Sequence, residues 1–355
     1  MRRKILDKLE TLNEEYLILN EEEMRYVRKG VKSRDWDVRD VVAEILVGWY
    51  TPENEQILYN LTFDKEEMVC VDAVDSLCIG RTRRTLNRLR ELMQDKRTLV
   101  RGYAVESFFD VWVNCFSWNH RSMKAYLRFV ENIEKKEKSK WVKTCYDRNR
   151  VLAQDRRRLE HLFYILEHGR EVNHYVSSAA VSSIEELRNI NNQSYIDGRL
   201  EKVVGNFQGY GLEKDIQKIM EKQEKARVLL LDNTNSGVTQ LLEYVGIEET
   251  NMEFRSAGLH PAGKIENWVL ELLEEAGDIT RWQYSSPVEE LWRYDYIVPF
   301  GITLDAKDYP FQKVYQGYQD NREKRMDLER ACSIVKEIER NCSYRGQERC
   351  EEDMP

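Results

Sequence analysis

Apolar residues in the first half of the chain recur in a fixed figure. A valine is followed by a polar or basic residue, then small or apolar residues, then a large apolar residue eight positions on. The figure appears as Val38-Arg39…Val42-Ala43…Leu46, as Val69…Ala73-Val74…Leu77, and as Val100-Arg101…Ala104-Val105…Phe108. It returns as Val176…Ala179-Ala180-Val181…Ile184, and a weak copy near Trp141-Val142 fills the longer interval. Spacings of four, five and eight put these side chains on one stripe of a helix. Upstream of each lies a second amphipathic stretch, such as Glu55–Leu61 or Arg84–Met93. The first two intervals are 31 residues each. A helix pair of that length cannot close a core alone, so pairs must stack on their neighbours.

The Val-Arg-x-x-Ala type of signature, with an acidic residue such as Asp37 ahead of it, resembles HEAT repeats over about residues 20–190. The resemblance implies an all-α solenoid that acts by recognition across an extended face. Two basic stretches stand out within it. One holds Arg81, Arg83, Arg84, Arg88, Arg90, Lys96, Arg97 and Arg101; the other runs over Lys135–Lys143 with Arg148, Arg150 and Arg156–Arg158. Their ordinary meaning is a solvated face paired with neighbouring Glu and Asp. The sharper alternative is a groove for nucleic acid or an acidic partner, in which aligned cations release phosphate counterions. The near-neutral charge of this half disfavours that alternative. Trp112, Trp118 and Trp141 fit interface anchors, though aromatic residues at helical spacing belong more often to a core.

Residues 188–224 interrupt the figure. Asn191-Asn192-Gln193-Ser194 and Gly205–Gly211 are rich in turn formers, and Leu212–Lys225 reads as a charged helix. From Arg227 strands and helices alternate. Val228-Leu229-Leu230-Leu231 has the continuous apolar run of a central parallel strand. It leads into the polar loop Asp232-Asn233-Thr234-Asn235-Ser236-Gly237-Val238-Thr239 and a helix start at Gln240–Tyr244. A strand, a Gly-containing loop and a helix N-terminus form an arrangement able to cradle an anion. Phe254–Gly258 reads as a second strand, Asn267–Leu273 as a helix, Ala276–Ile279 as a turn, and Tyr294–Val298 as a third strand.

That order, with its Ser256-Ala257-Gly258 block, resembles the low-molecular-weight protein tyrosine phosphatases and thioredoxin-coupled arsenate reductases over about residues 226–340. Phe311–Gln316 fits the opening of that family's last helix. The family's loop begins with a nucleophilic Cys and carries an Arg before a Ser or Thr. A thiolate is needed to attack phosphorus, and the Arg clamps the phosphoryl oxygens. Here those positions are Asp232 and Val238, while Asn235, Ser236 and Thr239 keep compatible identities. The family's general acid sits in an Asp-Pro pair; Asp308 is the nearest match, with Tyr309 between it and Pro310, and the fourth-strand segment looks shortened. Cys332 is the first cysteine downstream of the loop, too remote for an arsenate-reducing relay. An aspartyl-phosphate reaction at Asp232 lacks the usual Asp-x-Asp, since Thr234 stands two residues on.

Charge sharpens the division. The first 190 residues hold 34 Lys+Arg against 32 Asp+Glu, leaving 21 against 31 for the rest. Seven scattered cysteines without a Cys-x-x-Cys pair read as reduced thiols of a cytoplasmic protein. No apolar run approaches the ~20 residues of a membrane span, and the charged start has no signal core. His161 and His168 share a helical face without completing a ligand set, so neither a metal nor another cofactor is expected. The expected chain is an α-solenoid over 1–190, a linker with a charged helix over 191–225, a phosphatase-like α/β three-layer domain with a small parallel sheet over 226–345, and an acidic tail over 346–355. Its expected function is to bind a protein partner through the solenoid, without catalysis. A divergent phosphohydrolase using Asp232 and Asp308 is the enzymatic alternative.

Overall fold

The computed structural model describes residues 2–15, 18–155, 157–169, 173–207, 211–276, 284–288, 291–316, 318 and 325–347. The chain is mostly helical, with one small parallel sheet, and divides into two compact units, Met1–Glu224 and Lys225–Pro355. Among the described residues no helix is long and apolar enough to cross a membrane. Residues 348–355 of the expected acidic tail, the Arg156 position and the 277–279 part of the expected turn lie outside the described residues, while 346 and 347 end the last helix.

The first unit begins with α1 (Arg2–Glu15), α2 (Glu21–Gly30), α3 (Trp36–Ile45), α4 (Pro52–Leu61), α5 (Glu67–Ser76), α6 (Arg83–Leu92) and α7 (Thr98–Phe116). It continues through α8 (His120–Glu134), α9 (Lys140–Leu152), α10 (Arg157–Glu167), α11 (His174–Leu187), α12 (Gln193–Val203) and α13 (Gly211–Glu221). The valine-led figure occupies α3, α5, α7 and α11, and its leading valines and large apolar members are buried. Val38, Val42, Leu46, Val69, Ala73, Leu77, Val100, Ala104, Phe108, Val176, Ala180 and Ile184 are all core residues. The odd-numbered helices α1 to α11 pack each on the next, with α2, α4, α6, α8 and α10 against them.

Two kinds of local chemistry fix this arrangement. Helices α2, α4, α6 and α8 start on side-chain caps from Asn20, Thr51, Thr82 and Asn119, which satisfy free N–H groups of the first turn. The helices α3, α5 and α7 lack a cap from the preceding residue. Instead, the side chain two residues before it accepts that residue's N–H: Ser33 for Asp35, Asp64 for Glu66, Asp95 for Arg97. In the first and third copies the arginine after the valine ties one pair to the next. Arg39 bonds Asp64 at 2.6 and 2.9 Å, and Arg101 bonds Glu137 at 2.8 and 3.1 Å. Cys70 stands at this position in the second copy, where Arg97 turns back onto Asp95 and only brushes the thiol at 3.4 Å.

The weak copy at Trp141 is explained by close approach. A Cβ on Gly102 would lie 2.1 Å from the Trp141 ring, so glycine lets α7 accept that indole. Trp118 is buried and donates to Leu152 O, and Trp112 packs among Phe108, Phe116, Tyr126 and Phe129. Trp118 belongs to the interior, and Trp112 is half-buried. Residues 191–225 hold α12 and α13, which pack on α10 and α11. Arg188, 2% exposed, anchors this end through Asp197 and Glu224, each at 2.8 Å.

In the second unit β1 (Arg227–Asp232), α14 (Val238–Glu249), β2 (Glu253–Gly258), α15 (Asn267–Glu275), β3 (Tyr296–Pro299), β4 (Lys313–Val314) and α16 (Leu328–Gln347) follow in order. The sheet order is β2-β1-β3-β4, with every pair parallel. Strand β1 is central, with Leu229 opposite Arg255 on one side and Ile297 on the other. Helix α14 packs on β1, β2, α15 and α16. The segment Phe311–Gln316 differs from expectation. Instead of opening the last helix it carries β4, which pairs Lys313 and Val314 with Tyr296 and Ile297. The exposed edge of β3 offers its ladder groups there, and that pairing overrides any local helical tendency.

Candidate functional site

The loop Asp232–Thr239 leaves the end of the central strand and enters α14, as expected of an anion cradle. Its interior is already occupied. The Asp232 carboxylate turns into the loop and accepts from Thr234 N at 2.9 Å, Asn235 N at 2.5 Å and Thr239 Oγ1 at 2.8 Å. Asn235 adopts a left-handed backbone, φ 47°, which Asn tolerates better than most residues. Burial pushes the Asp232 carboxyl above its usual range, against the pull of those hydrogen bonds, and the charge of Glu266 adds to the rise.

The surrounding segments lock the loop in place. The Asn235 side chain, fully buried, accepts from Gln240 Nε2 and Ser286 N, both at 2.8 Å. Ser285 Oγ donates to Thr234 O, while His260 N and Ala262 N donate to Asn233 O and Thr234 O. Ser236 Oγ meets Thr234 Oγ1 at 3.0 Å and reaches Glu266 Oε1 at 3.4 Å; Trp268 Nε1 holds the other Glu266 oxygen at 2.7 Å. Gly258 lies so close beneath the loop that a Cβ would fall 2.9 Å from the Thr234 carbonyl carbon. This explains why the Ser-Ala-Gly block ends in glycine. Among the described residues the loop's hydrogen-bond partners are neutral groups and the Glu266 carboxylate.

A phosphate entering this loop would meet two carboxylates, with two of the amides and one hydroxyl already committed. Gly237 and Val238, the N-cap and first residue of α14, carry no cationic side chain, and no side chain caps that helix. Asp308, the other candidate, lies exposed in a three-residue 3-10 turn, Ala306–Asp308, which is capped by Asp305. Its backbone N–H donates to Asp305 O. Cys332 sits on α16 with burial raising its thiol pKa, the opposite of an activated nucleophile.

The first basic stretch is largely engaged within the helical unit. Arg84 lies 3.9 Å from the Tyr59 ring centre and donates to Gln56; Arg88 lies 3.8 Å from Phe63 and donates to Thr62 O and Oγ1. Arg81 stacks on Tyr50, and its backbone N–H joins three groups of Thr82 and Thr85 on the buried Glu55 carboxylate. Arg83 and Arg90 are exposed. In the second stretch Arg150 and Arg158 share Glu134, Asp147 and Asp155, and Arg148 is buried against Glu186. His161 bonds Asp147 at 2.6 Å, and Tyr164 stacks between His161 and His168.

Sequence reasoning passed over an acidic row that the repeat places together. Glu44, Asp75 and Glu106 each stand six residues after the valine of their copy, on the adjoining helices α3, α5 and α7. Oxygens of Asp40, Glu44 and Asp72 lie within 4.8 Å of one another. Aligning the three copies on their valines is enough to find this row.

No protein-family model matches the sequence, and no curated protein matches it. Among solved structures the chain is similar to the thioredoxin-dependent arsenate reductase Cg_ArsC1' of Corynebacterium glutamicum, at 18% identity and a TM-score of 0.28. The likeness covers 52% of this chain and 84% of that one.

Proposed function

We propose that this chain is a non-catalytic binding protein of the cytoplasm. In this reading its helical unit is a solenoid of HEAT-like pairs that grips a protein partner, and its α/β unit is a phosphatase-like domain retained without phosphatase chemistry. The observation that carries it is the Asp232 carboxylate lying inside its own loop, bonded to Thr234 N, Asn235 N and Thr239 Oγ1. A nucleophile must be free to reach phosphorus and a clamp must be cationic; here the first position is spent as a structural acceptor and the second is Val238. The alternative phosphohydrolase is weakened by Asp308, which sits exposed in a separate turn, and the nucleic-acid alternative by the stacking of Arg81, Arg84 and Arg88 on aromatic rings.

The test is turnover of para-nitrophenyl phosphate and a phosphotyrosine peptide by the full chain. No turnover is expected. Hydrolysis that disappears in Asp232→Asn would overturn the non-catalytic reading. Affinity capture from the native host would address the binding half.

A further inference from the structure

Where α9 turns into α10, a buried charge network depends on a histidine to complete it. Asp147 on α9 is 1% exposed and accepts from two residues of α10, Arg158 Nη1 at 2.9 Å and His161 Nδ1 at 2.6 Å. Arg158 also bonds Glu134 at the end of α8, at 2.8 Å. Arg150 of α9 bonds the same Glu134 at 2.6 Å and the corner residue Asp155 at 2.8 Å. The three carboxylates are 12%, 1% and 6% exposed in chain order. Among the described residues they share two enclosed guanidinium groups, Arg150 and Arg158. A further arginine, Arg157, reaches Asp155 from a side chain 89% exposed, where water screens its charge. His161 adds a third enclosed positive charge only when protonated.

The ring is 45% exposed, so its second nitrogen exchanges protons with bulk water. The hydrogen bond to Asp147 raises its proton affinity above the ordinary histidine value; burial and Arg158 oppose the rise, and Glu134 adds to it. From the other elements packed on α10, Tyr195 and Arg199 of α12 engage Glu160 and Glu167, and Glu186 of α11 engages Arg148. Neutral His161 keeps its hydrogen bond to Asp147 but leaves a carboxylate charge uncompensated where water does not reach, and that is costly. The helix so held presents an exposed face, with Tyr164, 54% exposed, stacked between His161 and His168.

We propose that His161 is a proton-operated latch: protonated, it pins α10 to the buried Asp147 of α9, and on losing its proton it lets α10 and its exposed ring stack loosen from the helical unit. The sign follows from linkage. A histidine whose folded pKa lies above its unfolded 6.5 gives its full stabilisation below that value and loses it as pH rises through the folded one. The latch is closed in mild acid and slackens as pH rises. It is independent of the binding reading above.

The experiment uses the full-length protein and two variants at this half-exposed site: His161→Gln, which can donate to Asp147 but never carries charge, and His161→Arg, which always does. The His161 ring signal in proton NMR, identified by its absence from both variants, should titrate above 6.5. Hydrogen exchange by mass spectrometry is followed from about pH 5.5 to about pH 8.5, corrected for the intrinsic rise in exchange rate. In the wild type, protection of peptides within α10 should fall several-fold over that range, while peptides within α6 hold steady. In His161→Gln, α10 should stay at the low protection of the alkaline wild type throughout, and in His161→Arg at the high protection of the acidic one. A ring that titrates at or below 6.5 overturns the proposal. So does α10 protection that is flat in the wild type, that falls equally in the variants, or that falls no more than in α6.

Discussion

Truncating Asp232 to alanine should release the 232–239 loop, and the structure gives the size of the effect. The carboxylate satisfies three donors, of which Asn235 N and Thr239 Oγ1 belong to residues with no exposed surface. Water can reach the exposed Thr234 and replace its bond. Each buried donor left without a partner costs about 1–3 kcal/mol. Asn235 Nδ2 already donates to Thr239 Oγ1 at 3.4 Å and cannot accept its proton, so the second loss is not offset there. The sum is about 2–6 kcal/mol of local stability, or roughly 30-fold to 25,000-fold faster amide exchange where opening is a rapid pre-equilibrium. Hydrogen exchange followed by mass spectrometry on peptides within residues 228–245 reads this directly, without requiring the two units to unfold together. Asp232→Asn is the informative companion. Its amide oxygen can keep both backbone donors, the Thr239 hydroxyl can turn to accept, and no charge remains to be buried. That variant should exchange within about tenfold of the wild type. Wild-type exchange in Asp232→Ala would refute the argument, since the loop would then owe its shape to something other than this carboxylate.

Arg188→Ala should destabilise the helical unit by about 3–5 kcal/mol, because it strands the Asp197 and Glu224 carboxylates around a buried hole; Arg188→Met with Asp197→Asn and Glu224→Gln should recover most of that in denaturant titrations. Asp40 and Asp75 have folded pKa values raised above the ordinary 3.8. Their share of stability is thus intact near pH 4 and lost as pH rises through about 6 to 7. Asp40→Asn/Asp75→Asn should therefore match the wild type at pH 4 and exceed it at pH 8, by on the order of 1 kcal/mol after solvent screening. A difference that shrinks with rising pH would contradict the sign.

The parts of this chain legible from sequence were those governed by local periodicity. The valine-led stripe marked α3, α5, α7 and α11 because burial and helical spacing coincide there, and Val228–Leu231 marked the central strand because a strand covered on both faces has no polar positions. The identities at Asp232 and Val238 announced a changed loop, but not that the aspartate folds back to fill it; that depends on the left-handed turn at Asn235. Strand β4 escaped notice because two residues carry no periodicity, and their state is decided by the free edge of β3. The arginines of the first basic stretch looked like a surface because sequence shows charge and hides stacking partners 25 to 31 residues upstream, such as Tyr59 for Arg84 and Tyr50 for Arg81.

The thiol at Cys70 has a consequence for how the helical unit comes apart. In a stack whose stability is summed from neighbour to neighbour, the weakest joint sets where cooperativity breaks. Arg39 rivets the first copy to the second and Arg101 rivets the third to its successor, whereas the second copy offers sulfur and a single 3.4 Å contact. The joint between α5 and α7 lacks that ion pair and is held by neutral bonds, Ser107 Oγ to Asp75 O at 3.0 Å and Asn114 Nδ2 to Cys78 O and Gly80 O at 3.1 Å. Under a rising denaturant gradient, exchange protection should be lost for α1–α5 as one group and for α7–α11 as another, and Cys70→Arg should merge the two transitions.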